Sequence, residues 1–351
     1  MKRAPETVVQ SRVVGYERET SPSPARFFET AFAYQRSAAL KAAVELDLFT
    51  AIAEGATDVA AVASRAQASE RGIRILCDYM VISGFLAKED GRYALTHDSF
   101  MFLNRRSPAY VGDAVAFLTA PEQIEAFANL SEVVRRGSRD AKALEPDNPM
   151  WVTFARSMAG MARMTAGLLA DFLGVSHAGA IRVLDVAAGH GFYGIAVAQQ
   201  NPEARVVGLD WASVLEEARQ NARAAGVEAR YATTAGDAMS VELGGPYDLV
   251  LLPNFLHHFD ERTCTAFLRR IREALKDGGR VAALEFVPDE DRVNPPMAAA
   301  FALTMLGLTP AGDAYTFEEY RRMFGEAGLT DMRLHDLPPA VQRVVTALRV
   351  P

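Results

Sequence analysis

The hydrophobic rhythm of the chain changes near residue 180. Before that point apolar residues recur at helical spacing; after it, short apolar runs alternate with helical stretches. Over residues 26–53 the apolar set Phe27, Phe28, Ala31, Phe32, Leu40, Ala43, Val44, Leu46, Leu48 and Phe49 predicts one long helix. Two shorter helices are expected over 58–66 and 70–84, the latter carrying Ile73, Leu76, Cys77, Met80 and Val81. Residues 85–96 then read as two short strands around Asp90-Gly91, a dipeptide suited to a hairpin turn. Three helices and a hairpin make a winged helix. Residues 1–24, ending in Ser21-Pro22-Ser23-Pro24, carry no periodic pattern and read as a loose arm.

Residues 109–137 are helical again, with Pro121 placed to start a helix and Gly137 to end one. A polar stretch, 138–149, reads as a loop before a helix over 150–173 that carries Met150, Met158, Met161 and Met164. From 181 onward, strands are expected at 181–186, 204–210, 229–233, 247–252 and 280–287. Helices at 214–225, 261–276 and 317–327 intervene or follow, and strands at 330–337 and 341–350 close the chain. That alternation predicts an α/β fold with a Rossmann-like, doubly wound sheet. Four regions follow: the arm 1–24, a winged-helix unit 25–108, linking helices 109–179 that wall a pocket, and a catalytic unit 180–351.

Composition narrows the function classes. A chain of 351 residues, half of them hydrophobic, suits two domains. The net charge of −7 argues against a nucleic-acid role, and the third helix presents Glu70, Arg71, Arg74 and Asp78, a mixture that repels phosphate about as much as it attracts it. A winged helix reused as a homodimerisation surface is the better reading, because the 26–53 stretch has more apolar surface than so small a unit can bury. A DNA-binding regulator stays as the alternative. Cys77 and Cys264 lack metal-ligand spacing and read as reduced thiols of a cytoplasmic protein, with no metal expected. No signal-peptide pattern and no run near the roughly 20 apolar residues of a membrane span is present, so no membrane partner is expected.

The chemistry centres on residues 181–194. A buried strand ending Leu184-Asp185-Val186 runs through Gly189, Gly191 and Gly194 into a helix. The glycine spacing alone suits a dinucleotide or S-adenosylmethionine (SAM) equally. Ligands of open α/β sheets sit outside the carboxyl ends of the strands. That rule gathers Asp185, Asp210, Asp237, His257, His258 and Glu285 on one rim. Asp210, 19 positions after Gly191, is placed to accept from two ribose hydroxyls, and Trp211 to cover an adenine face. Asp237 is placed for the adenine amino group, unless it is an ordinary turn aspartate. Ala238 beside it and Asn254 after the fourth strand complete the candidate cofactor set. Asp185, four positions before Gly189, suits a cationic amine better than a pyrophosphate, and no second nucleotide-binding half follows. SAM is therefore favoured over NAD.

Several stretches, in this order, resemble the class I SAM-dependent small-molecule O-methyltransferases with an N-terminal winged-helix dimerisation domain, the caffeic-acid and acetylserotonin type. They are Leu184 to Gly191, Gly208-Leu209-Asp210, Gly236-Asp237, Leu256-His257-His258-Phe259-Asp260 and Leu275 to Arg280. The resemblance covers about residues 25–350 and is closest to bacterial members. It implies His257 as general base, Glu285 as the carboxylate that orients it, and a small, aromatic or polyketide-like acceptor methylated on oxygen. Three positions depart from the family: Ala314 stands for a second glutamate, Pro253 for a lysine near the cofactor, and His258 for an aspartate after the base. Methylation on carbon or nitrogen, and a SAM-binding protein with another activity, stay open. Phe154, Met158, Met161, Phe255, His258, Met297, Phe301, Met305 and Leu306 are the candidate pocket residues. Proton transfer from a phenol to an imidazole is uphill by about 3.5 pH units, roughly 5 kcal/mol, so a phenolic acceptor needs the help of the cationic sulfur nearby.

Overall fold

The computed structural model describes residues 22–139 and 148–351. The stretch expected as one helix is three: α1 (Ala25–Ala31), α2 (Ala33–Glu45) and α3 (Leu48–Ala53). Asp47 adopts φ 51° between α2 and α3, which turns the chain and lets α3 bury Leu48, Phe49, Ala51 and Ile52. Propensity and periodicity carry no signal for such a bend, because only the packing it permits rewards it. α4 (Val59–Ala66) and α5 (Glu70–Ile82) start where Asp58 and Ser69 cap them, through Asp58 Oδ1 to Ala61 N at 2.9 Å and Ser69 Oγ to Gly72 N at 3.1 Å. β1 (Leu86–Glu89) and β2 (Arg92–Leu95) pair antiparallel around Asp90 and Gly91, both at positive φ as the hairpin turn requires. Phe49, Ile73, Cys77, Met80 and Tyr93 form the core of this unit. The two described cysteines are both buried thiols.

Four shorter helices lead onward. α6 (His97–Phe102) was not foreseen; α7 (Ala114–Leu118), α8 (Pro121–Ala128) and α9 (Leu130–Arg136) fill the region expected to be helical. Pro121 does open α8, and Gly137, at φ 71°, closes α9. The expected loop 138–149 falls largely outside the described residues, as does nearly all of the arm 1–24. The 25-residue α10 (Pro149–Leu173) begins where Asn148 Oδ1 accepts from Met150 N at 2.9 Å.

The second half is a seven-stranded sheet. Its strands are β3 (Arg182–Val186), β4 (Arg205–Asp210), β5 (Tyr231–Ala235), β6 (Tyr247–Pro253), β7 (Leu275–Glu285), β8 (Thr330–Asp336) and β9 (Arg343–Leu348). They lie in the order β5-β4-β3-β6-β7-β9-β8. All neighbours are parallel except β9, which runs antiparallel to both β7 and β8. β7 begins at Leu275, ahead of the expected start at 280, because 275–279 continue the pairing: Tyr247 faces Leu275, and Arg349 O accepts from Gly278 N at 2.8 Å.

Alternate strand residues serve opposite layers. Val183, Leu249, Leu251, Ala282 and Leu284 pack under α10, α11 (Phe192–Gln200) and α12 (Ala212–Ala224). Leu184, Val186, Val250, Leu252, Val281 and Ala283 pack under α13 (Glu261–Ala274) and α15 (Phe317–Glu326). α14 (Pro296–Leu308) lies outside the sheet, against α8 and α9. Strand order reverses between β3 and β6, which opens the crevice at their carboxyl ends where doubly wound sheets take ligands. No helix among the described residues is long and apolar enough to cross a membrane.

Candidate active site

The glycine turn leaves β3 through Ala187, Gly189 and Gly191, all in the left-handed region. A Cβ at Gly189 would meet nothing nearer than the Ala187 carbonyl at 3.8 Å, so that face of the turn is open. Gly191, expected to line the cofactor site, turns its Cβ side the other way: an added carbon would lie 2.9 Å from Tyr231 Oη and 3.0 Å from Ala218 Cβ. At Gly194 it would lie 2.6 Å from Val206 Cγ1. The last two glycines thus make room for close helix–sheet packing around Tyr231.

Asp185 is fully buried. Its Oδ2 accepts from Gly194 N at 2.9 Å, while Oδ1 has no partner among the described residues. Burial, with the charge of Asp210 adding to it, pushes this carboxyl up to about 8 against the Gly194 hydrogen bond. Asp210 ties the end of β4 to the glycine turn: Oδ2 accepts from Gly189 N and Oδ1 from Trp211 N, both at 2.7 Å. Burial raises Asp210 to about 6 in spite of those two bonds. Trp211 is half-buried and precedes the first residue of α12. Asp237 behaves as a turn aspartate, with Oδ1 accepting from Met239 N at 2.8 Å. The carbonyl of Ala238 accepts from Arg270 at 2.5 Å, which clamps this loop onto α13. Asn254 sits at φ 54° directly after β6, and its Oδ1 accepts from Gln342 Nε2 at 3.1 Å.

His257 lies in a single turn of 3-10 helix, Leu256–His258, after β6. Glu285 is the last residue of the adjacent strand β7. Both are buried. Glu285 Oε2 lies 2.5 Å from His257 Nδ1, and Oε1 accepts from Phe255 N at 3.0 Å and Leu256 N at 2.8 Å. One carboxylate therefore builds the turn and aims the imidazole, with Nδ1 engaged and Nε2 left for chemistry. The segment after α14 braces the same turn, since Asp313 N donates to the His257 carbonyl at 3.1 Å. Gly312 permits this approach, because a Cβ there would fall 2.2 Å from that carbonyl. Ala314 is fully buried beside it.

Aromatic rings surround the histidine. The Phe301 ring meets His257 edge-on at 4.8 Å and stacks on Phe286 at 4.0 Å. His258 lies 4.4 Å from His257 and 5.8 Å from Trp151, ring to ring. Phe154 packs between Trp151 and Phe117. Met158 and Leu306 are half-buried and Met305 is buried. Three further pocket candidates are not enclosed with these rings. Met161 is 38% and Met297 65% exposed, so neither walls an enclosed slot within one chain, and Phe255 packs on Phe259 and Phe267 in the core.

Residues not singled out beforehand also shape the site. Tyr193 is buried, with its hydroxyl 3.1 Å from Thr165 Oγ1, and burial pushes it up to about 12. His190 Nδ1 accepts from Phe192 N at 3.2 Å, and burial lowers this imidazole to about 4. It is neutral, with its proton on Nε2. The interleaving of His190, Phe192 and Tyr193 with the glycines was the available signal. Trp151 had none beyond its type. Among the described residues no group of three or more His, Cys, Asp or Glu is placed to hold a metal ion.

A doubly wound sheet with an open glycine turn, an unpaired buried carboxylate oxygen, acids on successive strand ends and a histidine–carboxylate pair beside aromatic rings defines a small-molecule group-transfer enzyme. The bare Asp185 oxygen and the open Gly189 face fit a ligand that carries an ammonium group, as SAM does. Residues 141–330 match the O-methyltransferase domain and residues 28–105 the O-methyltransferase dimerisation domain; the chain belongs to this family. It is a SAM-dependent O-methyltransferase with a helical dimerisation domain ahead of the catalytic sheet. The 3-hydroxy-5-methyl-1-naphthoate 3-O-methyltransferase of Streptomyces sahachiroi is 31% identical over 84% of this chain and 86% of its own length. A crystal structure of a Nostoc punctiforme protein superposes with a TM-score of 0.89 at 51% identity, over 94% of this chain and all of that one. Human N-acetylserotonin methyltransferase, solved in complex with SAM, shares the fold with a TM-score of 0.81 at 23% identity, over 95% of this chain and 100% of that one.

Proposed function

We propose that this enzyme methylates a hydroxyl of a small aromatic or polyketide-like metabolite, with His257 as general base and Glu285 as its positioning partner. The observation that carries the reading is the 2.5 Å contact between His257 Nδ1 and Glu285 Oε2 at adjacent strand ends, beside Phe301 and His258. The Streptomyces relative named for a hydroxynaphthoate supports an aromatic acceptor. When bound, SAM supplies a methyl group on a cationic sulfur. Asp185 Oδ1 is assigned to its ammonium group, Asp210 to the ribose hydroxyls through lone pairs left after the Gly189 and Trp211 bonds, and Trp211 to one adenine face. Asp237 and Ala238 line the adenine edge, Gly189 and Gly191 shape the turn, and Asn254 holds the corner between cofactor and acceptor.

The acceptor hydroxyl would give its proton to His257 Nε2 as its oxygen takes the methyl group that bound SAM would supply, S-adenosylhomocysteine being the leaving product. Glu285 holds the ring and stabilises the imidazolium that results. The rings of Phe154, Phe301 and His258, together with Met158 and Met305, position a flat acceptor and exclude water. Positioning is worth up to about 7–11 kcal/mol in well-oriented systems, and a general base about 10²–10⁴-fold, so the larger share falls to the slot. The division at residues 108 and 179, a homodimer built through the N-terminal unit, and a cytoplasmic location belong to the same proposal. Incubation of the full chain with SAM and a panel of naphthols tests it. A product heavier by ~14 Da, the mass of one added CH₂, with equimolar S-adenosylhomocysteine, is expected. Turnover of SAM without a methylated product contradicts it.

A further inference from the structure

Two polar atoms beside the base have no partner among the described residues: Trp151 Nε1 and His258 Nδ1, both shielded from solvent. Their rings meet nearly at right angles at 5.8 Å, and His258 in turn lies 4.4 Å from His257. An indole N–H is a donor only and gains nothing from burial without an acceptor. Unpaired buried groups of this kind reject ligands that leave them unpaired, which makes them agents of selectivity. Burial, and next the charge of His257, hold the His258 imidazole well below its ordinary range, so it is neutral. None of the arginine– or lysine–ring contacts among the described residues falls on Trp151, Phe154, His257, His258 or Phe301. A neutral indole N–H and a neutral imidazole offer hydrogen bonds but no charge of their own, so they suit an uncharged oxygen better than an anion.

We infer that Trp151 and His258 are specificity-determining residues that select an acceptor carrying, besides the hydroxyl to be methylated, a second and uncharged oxygen such as a ketone, ester or quinone carbonyl. The inference rests on the O-methyl transfer proposed above and deepens it. Trp151 donates its N–H to that carbonyl, and His258 Nδ1 takes up the polar atom next to it. The reacting hydroxyl is then turned toward His257 Nε2.

The test is equilibrium binding to the full chain saturated with S-adenosylhomocysteine, using three probes: 2-naphthol, methyl 3-hydroxy-2-naphthoate and the 3-hydroxy-2-naphthoate anion. The ester is expected to bind about tenfold tighter than 2-naphthol, the gain of one hydrogen bond to a buried neutral donor. It is also expected to bind tighter than the anion. Trp151→Phe keeps a smaller aromatic ring, removes the N–H, and is expected to bring the ester-to-2-naphthol affinity ratio down toward one. His258→Leu removes the second polar atom and is read only through the ratio of ester to 2-naphthol affinity, which is expected to fall toward one. Equal binding of ester and naphthol by the wild type, a preference that survives Trp151→Phe, tighter binding of the anion, or no binding of any probe overturns the inference. Methyl transfer is scored separately: a wild type that binds the ester as expected yet methylates none of the three refutes the proposed O-methyl transfer to such acceptors and leaves the recognition standing.

Discussion

Asp185 is buried with one oxygen bonded to Gly194 N and the other bare. Its carboxyl is raised to about 8, above the ordinary value of about 3.9, so the folded protein holds this proton more tightly than the unfolded chain. Its contribution to stability therefore falls as pH rises from about 4 to about 8. A ligand bearing an ammonium group reverses the balance, because it binds the ionised form. S-adenosylhomocysteine affinity is then expected to rise between pH 6 and pH 8, with a proton released on binding. Calorimetry in buffers of different ionisation enthalpy reads that proton, and Asp185→Asn is expected to abolish the release and the pH dependence between pH 7 and pH 8, above the value of about 6 at which Asp210 titrates. A flat pH profile for the wild type contradicts the assignment. At Glu285, two backbone N–H groups and the His257 ring need two acceptor oxygens. Glu285→Gln supplies one, so turnover is expected to fall by about 10²-fold, with a lowered melting temperature because the turn loses a partner.

At the scale of elements, what was legible depended on how local the cause was. The hairpin at Asp90-Gly91 and the caps at Asp58 and Ser69 follow from residues adjacent in sequence. Strand-end acids were legible because a doubly wound sheet places its strand ends together whatever the details. The break at Asp47 was not, since its reward is the burial of Leu48 and Phe49 against distant helices. The histidine–carboxylate contact was implied by family resemblance, whereas its geometry required the register that sets Pro253 opposite Leu284. Trp151 came into the site only through the path of α10. The glycine turn shows the same limit: its spacing pointed to a ligand, yet Gly191 and Gly194 accommodate Tyr231, Ala218 and Val206. Gly194→Ala is accordingly expected to cost about 1–3 kcal/mol of stability through overpacking, measurable by denaturant titration. An unchanged midpoint would show that α11 shifts without cost.

For the whole molecule, the N-terminal unit leaves apolar surface uncovered. Phe27, Phe28, Phe32 and Tyr34 are all at least half exposed, and α1 buries no residue within its own chain. The match of 28–105 to a dimerisation domain accounts for such a surface. Phe27→Ser combined with Phe28→Ser is expected to shift the protein from dimer to monomer in sedimentation velocity. A wild type that sediments as a monomer at micromolar concentration contradicts the assignment of this face.

The central claim is that His257, held by Glu285, removes the acceptor proton during methyl transfer. Its most direct measurement is kcat/KM for wild type and His257→Gln across naphthols of graded acidity. The account predicts a loss of about 10²–10⁴-fold in the variant for a naphthol whose hydroxyl titrates near 10, narrowing steadily as the acceptor becomes acidic enough to ionise without help. A loss that is the same for every acceptor, or no loss at all, would contradict it.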